Sequence, residues 1–164
     1  MLRETDMLVK CLQAIVAFAV VFLATSKFVL AEQAQVVSSA EKELARTLSA
    51  DGPRETHGVK LSELLGAIEL GDDFPEINGM SLRVRRVTLE PGGVVGVHQH
   101  SRRPGVLYML EGELLEVRND SNGSFQRRVG DVSFEKGGVI HWWRNESGAD
   151  AVALVVDIVP EPMN

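Results

Sequence analysis

An all-β domain, a sandwich or barrel of short strands, is predicted for residues 58–160 on three observations. Fourteen of the 15 glycines fall between positions 58 and 148, where they punctuate short β-type runs. The breaks between those runs carry Gly, Asn, Asp or Pro, the residues that turns require. Finally, 164 residues with 45% hydrophobic and 24% charged side chains make a globular chain with one hydrophobic core.

The elements follow in order. Residues 1–31 read as a secretory signal peptide. Lys10 gives the positive flank, a 14-residue apolar run extends from Cys11 to Ala24, and Val29-Leu30-Ala31 offers a small-residue cleavage pattern. Cleavage is expected after Ala31, and Met7 would open a cleaner leader than Met1. A retained membrane anchor is the alternative, but Thr25, Ser26 and Lys27 interrupt the run short of the roughly 20 residues a span needs. Residues 32–57 are predicted to be a linker with one short helix. Ser38 or Ser39 caps it, it covers 40–48, and it ends before Asp51-Gly52-Pro53. Strands are then expected at 59–63, 66–70, 81–90, 93–100, 105–111, 113–118, 125–129, 131–135, 139–145 and 150–159, with a tail at 161–164. Asn119 to Ser124 marks the clearest hairpin, because Asn122-Gly123 tolerates the positive φ of a tight turn. Along 81–90 the apolar residues change parity, from Leu82 and Val84 to Val87 and Leu89. A bulge near Arg85-Arg86 is expected there, turning one arginine inward.

Charge and cysteine content exclude several functions. The net charge is −6, and removing the leader makes it −7, so there is no basic excess to neutralise a nucleic acid. One cysteine, inside the leader, rules out an internal disulfide framework and a cysteine-based zinc site. The mature product is expected to be acidic, periplasmic or secreted, without a stable membrane span.

Three of the four histidines carry the chemistry. His98 and His100 lie two apart on a predicted strand, so both rings point to the same side while Gln99 points away. That spacing suits a metal. His141 follows the Gly130-to-Gly138 segment and precedes Trp142-Trp143-Arg144-Asn145. His57 matches no such pattern and reads as a surface residue.

These segments resemble the two motifs of the cupin superfamily. Gly92, His98, His100 and Gly112 fit the first motif, and Gly130, Gly138, His141 and Asn145 fit the second. The chain is similar to a small single-domain cupin, and the resemblance implies a double-stranded β-helix, a jelly-roll barrel over 58–160. It further implies that His98, His100 and His141 hold one divalent transition metal, Fe, Mn, Zn, Ni or Cu. Two departures stand out. The family's metal-binding Glu would fall at Pro104-Gly105, with Gly105 the best match, so no carboxylate can ligate from there. Lys136 replaces the usual proline before His141. Three neutral imidazoles still leave open positions and the full +2 charge for water or an anion.

Strand parity assigns Leu107, Met109 and Trp143 to the pocket wall, although core packing is the plainer reading of each. Arg102 and Arg103 lie in the adjacent loop. An inward Arg85 or Arg86, held by strand packing, is the better anchor for an anion, and Arg86 is placed with the pocket. Glu111, Glu113 and Glu135 lie near the motifs without an assigned role, and no general base is named. Among cupins, those with three histidines include dioxygenases, whereas those keeping the Glu include many isomerases, oxidases and lyases. The resulting expectation is an exported metal-binding cupin acting on a small organic anion, as a dioxygenase-type oxidoreductase. The rivals are a non-catalytic binding or sensing barrel, with or without metal, and a metal-free homodimer associating through its sheet faces.

Overall fold

The computed structural model describes residues 36–48, 51–121 and 123–160. The predicted leader and the C-terminal tail lie outside them.

The described chain opens with helix α1 (Ser39–Thr47). Ser38 caps it, accepting from the Glu41 backbone N–H, while the Glu41 carboxylate accepts from the Ser38 N–H at 2.8 Å. Glu41 also holds Arg103 Nε at 2.5 Å, so one side chain both starts the helix and fastens it to the barrel. Ala45 is fully buried with Val97 and Ile140. The expected linker helix is thus packed on the domain.

Eight strands follow: β1 (His57–Glu69), β2 (Met80–Gln99), β3 (Gly105–Glu111), β4 (Glu113–Arg118), β5 (Gly123–Arg128), β6 (Val132–Glu135), β7 (Ile140–Arg144) and β8 (Ala151–Pro160). They form one antiparallel sheet in the order β5-β4-β7-β2-β8-β3-β6, with β1 added on β2. This is an all-β fold, a nearly closed double-stranded β-helix, as the sequence motifs imply.

Two expected breaks are absent. The segments 59–63 and 66–70 are one strand, because Gly66 follows a register shift in β1 and does not end it. Likewise 81–90 and 93–100 are one strand bent at Pro91-Gly92-Gly93. Gly92 has φ +77°, a conformation that side chains rarely adopt, and it lets β2 change partners without stopping. Residues 80–89 pair with β8, and residues from Val94 onward pair with β7. Asn145 holds this corner: it is buried and its side-chain amide donates to Leu89 O at 3.0 Å and Ala149 O at 2.8 Å.

The expected bulge at Arg85-Arg86 is also absent on this side. Pairing with β8 runs without a shift from Met80–Pro160 to Leu89–Ala151, and the irregularity sits across from it in β1, between Leu64 and Gly66. Odd-numbered residues therefore face inward along 81–89, and Arg85 is buried with Val87 and Leu89. Arg86 points outward, its side chain 46% exposed and its guanidinium 3.4 Å from Glu63. The pocket position predicted for Arg86 belongs to Arg85.

The core joins Val87, Leu89 and Val95 of β2 to Leu107 and Met109 of β3, Leu114 of β4 and Trp143 of β7. Val37, just before α1, caps this cluster. At one end of the barrel the interior becomes ionic. Asp157, fully buried, accepts from Arg83 at 2.9 Å through two nitrogens, from Arg85 at 3.0 Å and from Arg103 at 2.9 Å.

Candidate metal centre

The sheet brings His98 and His141 together directly, since they are cross-strand partners in the β2–β7 ladder. His100 lies two residues further along the same face. All three rings are buried. His141 Nε2 is 2.9 Å from His100 Nε2 and 3.2 Å from His98 Nε2.

The other nitrogen of each ring fixes the proton. His98 Nδ1 faces Gly96 O at 2.9 Å, His100 Nδ1 faces Arg103 O at 3.0 Å, and His141 Nδ1 faces the Glu116 carboxylate at 2.9 Å. Carbonyl and carboxylate oxygens only accept, so each Nδ1 carries the hydrogen and each Nε2 turns a lone pair inward. Burial is the main reason that all three rings stay neutral. It holds His98 and His141 well below the ordinary histidine range, and it holds His100, beside the Arg103 charge, at about 4. Three lone pairs packed this closely repel unless a cation lies among them. Nitrogens bound at 2.0–2.1 Å in tetrahedral array stand about 3.3 Å apart, close to the separations found. The donor set therefore fits a divalent transition metal.

Glu116, fully buried on β4, is held by three further donors. Arg118 Nη1 donates to it at 2.9 Å, Arg127 Nε at 2.9 Å and Ser133 Oγ at 2.8 Å. It shares its strand face with buried Leu114, and that parity is the signal by which the sequence could have revealed it. Glu135 is buried on β6, facing His141 Nε2 and His100 Nδ1 at 3.7 Å each. Burial raises its carboxyl to about 7; Arg103 opposes that rise, while Glu116 and Asp157 add to it.

A pocket of about 440 Å³, counting its open mouth, adjoins the cluster. His98, Arg85, Arg103 and Glu135 give it polar edges, while Leu107, Trp143 and residues of β2 and β8 form its apolar wall. The Trp143 ring meets His141 edge-on at 5.4 Å. Met109 has no exposure and packs in the core, away from the lining. Gly105 stands where the resemblance places a ligand. A Cβ on it would lie 2.7 Å from Val156 O, so β8 approaches too closely for any side chain. The turn before His141 closes without proline, through Val139 N–H donating to Lys136 O at 3.0 Å. His57 is exposed.

Comparison with known proteins matches residues 85–157 to the cupin domain, a segment that holds all three histidines and both strands flanking them. Residues 85–157 form a cupin domain. Among similar proteins, germin-like protein 8-14 of Oryza sativa subsp. japonica is 30% identical over 93 residues, covering 54% of this chain and 44% of its own. Auxin-binding protein ABP19a of Prunus persica is 29% identical over 92 residues, with the same coverage of 54% and 44%. The matched region thus spans less than half the length of these curated relatives. In fold, the chain is similar to KdgF from Halomonas sp., with a TM-score of 0.50 and 14% identity over 70% of this chain and 90% of that one. The cupin domain is of the metal-binding type, with three histidines placed to hold an ion. Among the described residues, no helix is long and apolar enough to cross a membrane.

Proposed function

We propose that this cupin binds one divalent transition metal through His98, His100 and His141 and acts on a small organic anion with an apolar body. The carrying observation is the meeting of three Nε2 lone pairs beside a pocket whose buried Arg85 Nε–H has no partner among the described residues. A buried donor left unpaired costs about 1–3 kcal/mol, and an anionic oxygen offsets that cost. Arg103 adds a second positive edge, while Leu107 and Trp143 exclude water from the rest of the ligand. Arg85 orients the anion, and the three neutral rings with their fixed tautomers hold the ion. When bound, the metal would supply Lewis-acid polarisation or, if redox-active, activation of O₂ for a dioxygenase-type oxidation.

Metal analysis tests the reading. Purified protein is expected to hold about one ion per chain, and the His98→Ala/His141→Ala variant only background; background metal in both overturns it. With metal present, oxygen uptake on a panel of carboxylates, thiols, diketones and phenols supports oxidation. A ligand-induced rise in melting temperature without uptake supports a binding module instead.

We further propose export. The sequence of residues 1–31 supports it, and mass spectrometry of the exported product is expected to find a chain starting at Glu32. A full-length, membrane-bound product would refute cleavage.

A further inference from the structure

We propose that Glu135 is the carboxylate ligand of the metal centre, supplied from β6 in place of the β3 residue that Gly105 cannot provide. The proposal rests on the three-histidine reading above and concerns a residue that neither motif assigns.

Gly105 lies between two carboxylates. Its Cα partner on β6 is Glu135 and its partner on β8 is Asp157. Both side chains are buried, so the position that lacks a ligand is flanked by two candidates. Asp157 is committed elsewhere, because three guanidinium groups already occupy its oxygens. No hydrogen bond among the described residues holds the Glu135 carboxylate. Its Oε1 lies 3.7 Å from His141 Nε2, on the side where the lone pairs meet.

The local strand geometry supports a built site. Alternation on β6 turns Ser133 and Glu135 inward and leaves Phe134 71% exposed, the reverse of what hydrophobic burial favours. A large apolar residue is in water so that a carboxylate can be in the barrel. Glu135 pairs in register with Gly105, and the missing Gly105 side chain leaves the neighbouring strand free to supply the ligand. Ligands at right angles on one ion with bonds near 2.1 Å stand about 3.0 Å apart, so coordination requires Glu135 Oε1 to close on His141 Nε2 from 3.7 Å and to turn toward the Nε2 side of His98 and His100. Coordination would then lower the charge of the site from +2 to +1 and satisfy a buried carboxylate that otherwise lacks a strong partner.

Co(II) titration of the apo protein tests this, read by ligand-field absorption and by competition with a chelator. Wild type is expected to bind, and Glu135→Gln is expected to bind about 10- to 100-fold more weakly with an altered spectrum. Glu135→Asp keeps the charge on a shorter arm and should fall between them. Wild-type binding together with a Glu135→Gln spectrum and affinity within about twofold of wild type overturns this proposal and leaves the three-histidine reading standing. Failure of wild type to bind overturns both. Should Glu135→Gln not fold, by circular dichroism, Glu135→Asp decides: a spectrum identical to wild type overturns the proposal, and a shifted one with weaker binding supports it.

Discussion

Replacing Asp157 by Asn is expected to destabilise the domain by about 3–5 kcal/mol at neutral pH, because the partners left behind include a buried arginine with no other ion pair among the described residues. Arg103 retains Glu41, but Arg85 depends on Asp157 alone among the ion pairs of the described residues. Burial by itself would raise the Asp157 carboxyl. The hydrogen bond from Arg83 and the charges of Arg85, Arg83 and Arg103 outweigh it and pull the carboxyl from its ordinary 3.8 to about 2. A depressed folded-state value stabilises the fold above the unfolded value, and this stabilisation disappears as pH falls from about 4 through 2. It amounts to about 2 kcal/mol. Urea unfolding of wild type and Asp157→Asn is therefore expected to show a wide stability gap at pH 7 that narrows below pH 4, other carboxylates cancelling between the two proteins. A gap that stays constant down to pH 2 would remove the ionic explanation.

Glu116→Gln is expected to weaken metal binding about 10- to 100-fold and stability by about 3 kcal/mol. The substitution keeps the shape and changes two things. A neutral amide no longer balances Arg118 and Arg127, which both donate to this side chain. Its NH₂ can also donate to His141 Nδ1, moving the ring proton to Nε2 and closing that nitrogen to an ion. Glu116→Asp, which restores the charge, should recover part of both losses. Calorimetric titration with Zn(II), alongside thermal melts, separates the two effects. Unchanged affinity in a less stable Gln variant would mean that Glu116 supports the fold but does not set the tautomer.

The fold was legible in the sequence because turn glycines and short runs mark strands even where their partners are unknown. The histidine site was legible because period-two spacing on a strand is a geometric statement. Both readings failed where a residue does something unusual for its type. Pro91-Gly92-Gly93 signals a stop, yet Gly92 bends one strand between two partners. Leu82 and Val84 suggested a parity change, but the inward face of β2 is ionic at one end and apolar at the other, so no slip was needed. Glu116 and Glu135 escaped for the same reason. Charged residues on short strands read as outward-facing until long-range arginines and histidines give them a reason to be buried. Those partners lie up to 35 residues away, from Glu135 to His100, and no local pattern connects them.

The position of β2 in the sheet also bears on when the site can exist. His98 and His141 are 43 residues apart in sequence and meet only when β7 pairs with β2. The same strand must also receive β8, the last of these eight strands in sequence, and pairing over such distances slows folding. A chain still emerging from the ribosome thus offers two histidines and no enclosed cage. Ion capture by the proposed centre would therefore be coupled to completion of the barrel.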